Sequence, residues 1–128
     1  MRKAMAGLAA GVILAGVVLA PIAAVADNPS KPGLPLLTEL NTAIMNDERG
    51  PAVDVFSEAS CAVDKGWIAV YIAFILALHE KNEAGAIAKE THQQIATWVI
   101  QMQNYIIDTA DVEGACRAMV AARKAHGF

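Results

Sequence analysis

The segment His79-Glu80-Lys81-Asn82-Glu83 opens like the helix of a zinc protease. In that motif two histidines four residues apart hold the ion, and the glutamate after the first serves as base. Here the fifth position is Glu83, so the protease reading fails. Glu80 and Glu83 stand one helical turn apart, the spacing that paired-carboxylate chemistry would use, but beside Lys81 they read as a solvated helix end. Beyond residue 26 the serines are Ser30, Ser57 and Ser60, none next to a histidine. No Gly-x-Ser-x-Gly elbow, phosphate-cradling glycine loop or dinucleotide fingerprint occurs in the sequence. Enzymatic chemistry is not expected.

Metal or haem ligation would have to use His79, His92 and His126, with imidazoles meeting between facing helices. Their spacing matches no ligand motif, and His126 lies two residues from the end of the sequence. A Met45–His126 axial pair fails on geometry, because Met45 falls at the bottom of a bundle and His126 high in its last helix. Met102 and Met119 read as core or gap-filling side chains. The expectation is no cofactor, with a metal- or haem-binding bundle as the alternative.

Cys61 and Cys116 are the two cysteines of the chain, with no Cys-x-x-Cys spacing. Outside the cytosol they can pair in one way only, and a disulfide is expected.

The elements that must position these groups are helical. Asp27 to Gly33 holds two prolines and a glycine and reads as an extended tether. A first helix is expected from Pro35 to about Asn46, and a second, long one from about Pro51 to Lys81. In the second, Phe56, Ser60, Val63, Trp67, Val70, Phe74 and Ala77 repeat at steps of four and three, the seam of a packed helix, with Gly66 expected to bend it. A third helix covers about Ala86 to Ala110, with Ala88, Ile95, Val99, Met102 and Ile106 inward. Asp111 is expected to cap a fourth that ends at Gly127.

Heights along an antiparallel bundle test this order. At 1.5 Å per residue Cys61 lies about 30 Å below the upper turn and Cys116 about 28 Å below it, so the two sulfurs can meet. By the same arithmetic His79, His92 and His126 lie about 3, 9 and 14 Å below the top.

The most informative stretch runs from Trp67 to Leu78, twelve residues without a charge and with no polar group except the Tyr71 hydroxyl. As a helix it is about 18 Å long, too short to span a bilayer. A surface helix keeps a polar stripe, and this one has none. With Phe56, Val63, Trp67, Val70 and Phe74 assigned to the seam, Ile68, Ile72, Ile75 and Leu76 become the outward set, expected to meet a protein partner or a second copy.

The N-terminus supplies an address. Arg2 and Lys3 precede an apolar stretch from Ala6 to Ala20, Pro21 breaks it, and Ala24-Val25-Ala26 offers the small residues a signal peptidase requires. Residues 1–26 are expected to be a signal peptide, 27–33 the tether and 34–128 the helical domain. A retained anchor is the competing reading, and either places the domain outside the cytosol, with the periplasm or the exterior as its location. Taking away Arg2 and Lys3 shifts the net charge from −3 to −5. An acidic body without a Lys/Arg cluster is poorly suited to nucleic acid.

Together these features imply an all-α, up-down bundle of about four helices with one disulfide. The function expected is that of a non-enzymatic binding protein, either chaperone-like or inhibitor- and immunity-like. Its partner would be a protein or a second copy, with no stable membrane span after cleavage.

Overall fold

The structure, a computed structural model, describes residues 30–49 and 54–128. The expected signal peptide, the start of the tether and the expected helix start at Pro51 lie outside these residues. Among these residues there are four α-helices, α1 (Leu34–Met45), α2 (Gly66–Glu83), α3 (Lys89–Thr109) and α4 (Val112–His126), with a 3-10 helix at Glu58–Ala62. Among the described residues there is no strand. The all-α bundle expected from the sequence is the fold.

α1 starts where Pro35 fixes its first turn, and Leu34, Leu37, Leu40 and Ala43 turn inward at steps of three. The residues just before it are not extended. Lys31 pairs with Asp108 at 3.0 Å, and the Gly33 N–H donates to the Ile107 carbonyl at 3.0 Å. That bond satisfies a carbonyl in the last turn of α3, which helix geometry would leave open. The approach needs glycine, since a Cβ at position 33 would stand 1.4 Å from the Ile106 oxygen.

The long helix expected from Pro51 to Lys81 is two elements. The 3-10 helix is capped by Ser57, whose Oγ accepts from the Ala59 N–H at 3.2 Å. The chain then turns through Val63 to Lys65, which takes a left-handed φ of 61°. α2 starts only at Gly66, because the Gly66 backbone passes so close to Ser60 that a Cβ would lie 1.9 Å from its carbonyl oxygen. Gly66 therefore ends a turn and opens a helix, where a bend was expected. Phe56, Ser60 and Val63 consequently lie off the seam of α2. Val63 is 41% exposed, and Phe56 is half-buried with the Arg123 guanidinium 4.5 Å above its ring.

In α3, Ile95, Val99 and Ile106 are buried as expected, joined by Gln103 and Ile107, whereas Ala88 is an exposed N-cap and Met102 half-buried. α4 follows the sequence closely. Asp111 caps it, its Oδ1 accepting from the Gly114 N–H at 2.9 Å, and Gly127 closes it at a φ of 74°.

α2 packs against α4, the 3-10 helix, α1 and α3. Phe74 lies at the centre of an aromatic group, with ring centroids 6.1 Å from Trp98 of α3 and 5.4 Å from Phe128 beyond α4. Cys61 and Cys116 are bonded, with Cα atoms 5.6 Å apart. The pairing is the expected one, although Cys61 comes from the 3-10 helix and not from within α2.

Two outcomes follow from this packing. The bond closes 55 residues of chain, so Cys61→Ala with Cys116→Ala should lower unfolding free energy by about 4 kcal/mol in a urea titration. A loss within error of zero would contradict that. Gly33→Ala should cost about 1–3 kcal/mol, because backbone must move away from the added methyl; an unchanged urea midpoint would show that α1 does not seat on α3 in this way.

Candidate functional site

The apolar stretch of α2 divides between core and surface. Trp67, Ile68, Ala69, Val70, Tyr71, Ile72, Phe74 and Leu78 are buried, while Ala73, Ile75, Leu76 and Ala77 are half-buried. Of the four residues expected outward, Ile68 and Ile72 are inside, at 3% and 5% exposure. Ile68 stands beside Thr42 and Ala43 of α1, and the 3-10 helix, which the helical periodicity had absorbed into α2, packs against α2 as a further layer. Ile75 and Leu76 keep part of their surface open. At about 100° per residue Leu76 shares one side of the helix with Ala73 and Ala77, and Ile75 lies on the opposite flank.

Tyr71 was legible in the sequence only as the one polar atom in an apolar run. Its side chain is fully buried, with the edge of Trp67 at 5.9 Å, and its hydroxyl has no hydrogen-bond partner. Burial pushes the phenol well above its ordinary value, so it stays neutral across the accessible pH range. An orphan hydroxyl in a core costs stability, on the order of 1–3 kcal/mol.

Shallow depressions lie on the surface of the described residues. One, lined by Glu39, Thr42, Ala43, Glu48, Lys65 and Ile68, holds an ion pair between Lys65 and Glu39. The hydrogen bond from Lys65 to Glu39 raises the ammonium above its ordinary value and keeps it charged, so it is not a base. Another runs along the outer side of α3 past Glu90, Gln94, Trp98 and Gln101, with every lining residue from that one helix.

The histidines separate into a pair and a remainder. His79 is exposed near the end of α2, and His92 is half-buried in the first turn of α3. The His92 imidazole is held below its ordinary value, first by burial and then by the charge of His79. His126 is exposed, and its ring stacks on Phe128 at 5.9 Å. Among the described residues, no group of three or more His, Cys, Asp or Glu side chains is placed to hold a metal ion.

The chain matches no protein-family model, no curated protein and no solved structure. What the molecule does must follow from its own surfaces. Among the described residues no helix is long and apolar enough to cross a membrane.

The His92 environment has a consequence for stability. Both causes favour the neutral ring, so the unfolded chain binds this proton more tightly than the folded one. The contribution is complete above the ordinary imidazole value of 6.5 and is lost as pH falls below it toward the lower folded value. The urea midpoint should therefore drop on acidification through that window, and His92→Gln should flatten the drop. Identical pH profiles for the two proteins would show that His92 is not held neutral.

Proposed function

We propose that this protein is an exported, non-enzymatic interaction protein that uses the open side of α2 to associate with a second copy of itself. The observation that carries the reading is the group Ala73, Leu76 and Ala77, half-buried on one side of a helix that has no charge from Trp67 to Leu78. A large side chain flanked by two small ones is self-complementary. Under a two-fold axis Leu76 of each copy enters the shallow space over Ala73 and Ala77 of the other, the isologous arrangement that closed dimers use. Leu76 already packs in part against the core, so covering its remaining surface recovers a fraction of the roughly 1.5–3 kcal/mol that full burial of such a side chain is worth, which favours association.

The export signal, the acidic body and the absence of enzyme motifs in the sequence are consistent with a chaperone-like or inhibitor-like role outside the cytosol. In either role the dimer would keep the apolar side covered until a client or target competes for it. The alternative is a metal- or haem-binding bundle using the histidines His79, His92 and His126.

Leu76→Glu should give a folded protein of unchanged helicity and half the mass in light scattering. Ile72→Glu, which buries a charge inside the copy, should instead unfold the chain. A wild type that is monomeric at every concentration, or a Leu76→Glu protein that remains dimeric, would sink the reading.

A further inference from the structure

From Thr91 to Ile107, α3 contains no Asp, Glu, Lys or Arg, a stretch about 26 Å long. A helix at the surface ordinarily turns charged side chains to water, as α4 does with Glu113, Arg117 and Lys124. On α3 the exposed positions between Glu90 and Asp108 are Gln93, Gln94, Thr97, Gln101, Asn104 and Tyr105. Glu90, Gln94, Trp98 and Gln101 follow one another at steps of four, four and three, so they form one line along the helix. That line, flanked by Gln93 and Thr97, bounds a depression of about 480 Å³. The volume lies within the range of small-molecule sites, about 300–1,000 Å³. Trp98 is half-buried, with Phe74 of α2 supporting its ring at 6.1 Å, and it also borders the depression. Among the described residues no side chain occupies the carboxamides of Gln93, Gln94 or Gln101.

The lining selects its ligand by charge and by hydrogen bonding. A charged ligand meets a single charge, Glu90 at one edge, which repels anions and has no second carboxylate beside it to hold a cation. An apolar ligand would desolvate three carboxamides and a hydroxyl without giving them partners. A neutral ligand that carries hydrogen-bonding groups along its length and an apolar face for the indole satisfies both conditions. A pyranose ring has this character, with C–H groups that pack on an aromatic face and polar substituents around its edge. An acetamido substituent matches a glutamine carboxamide donor to acceptor and acceptor to donor. Gln94 and Gln101 stand on either side of Trp98, about 10 Å apart along the axis, so a ring on the indole has both amides within reach of its linked neighbours. We propose that the outer side of α3 binds a neutral, N-acetylated oligosaccharide, with Trp98 as the platform and Gln94 and Gln101 as its hydrogen-bonding groups. The site belongs to one helix of one copy, so it does not depend on self-association through Leu76.

The test is a titration of the purified protein with triacetylchitotriose, followed in the proton–nitrogen spectrum. The indole N–H of Trp67, whose side chain is buried at 6% exposure, serves as an internal reference. The sugar should shift the Trp98 indole and the Gln94 and Gln101 carboxamide signals saturably at millimolar concentration and leave Trp67 in place. Gln94→Ala with Gln101→Ala, both at exposed positions, should keep the fold and weaken binding roughly tenfold or more, as loss of two neutral hydrogen bonds would. Trp98→Ala should abolish binding. Because Trp98 also packs on Phe74, the wild-type shifts and the glutamine variant decide the proposal whatever the stability of Trp98→Ala. No saturable shift, shifts as large at Trp67 as at Trp98, undiminished binding by the glutamine variant, or equal binding of maltotriose, which has no acetamido group, would overturn it.

Discussion

The bond between Cys61 and Cys116 holds a single 3-10 helix against the second turn of α4, and α2 packs on both. A helix of five residues has almost no stability of its own. Its place beside α2 depends on being tied at Cys61, on the Ser60 hydroxyl that donates to the Asp54 carbonyl, and on the close approach of Gly66. Ile68 and Ile72 are core residues, with Ile68 beside Thr42 and Ala43 of α1.

The covered and open parts of α2 have different consequences. Its first half is surrounded, at the cost of an unpartnered Tyr71 hydroxyl, and so contributes to stability alone. Farther along, Phe74 is locked between Trp98 and Phe128, while Ala73, Leu76 and Ala77 on another side keep some contact with water. The open side is narrower than twelve uncharged residues would suggest, and its shape is set by one large side chain between two small ones.

Much of this was legible before any coordinates. α1 and α4 follow from local signals that act within one turn, Pro35 at a helix start, Asp111 as a cap and Gly127 as a stop. The cysteine pairing followed from height, which tolerates errors of a few residues. The break before Gly66 was not legible, because Phe56, Ser60 and Val63 continue the spacing of three and four by coincidence. The interaction that interrupts the helix, a backbone contact between residues 60 and 66, leaves no periodic trace. The outward set fails for another reason: Trp67, Val70 and Phe74 are buried as the seam requires, but neighbouring elements cover Ile68 and Ile72 as well.

The central claim is that the side of α2 bearing Ala73, Leu76 and Ala77 meets its own copy. The most direct measurement is an isotope-filtered nuclear Overhauser experiment on a mixture of carbon-13-labelled and unlabelled protein. The account predicts intermolecular cross-peaks from the Leu76 methyls to the methyls of Ala73 and Ala77. A spectrum in which these residues show contacts only within their own copy, at concentrations where a dimer should be populated, would contradict it.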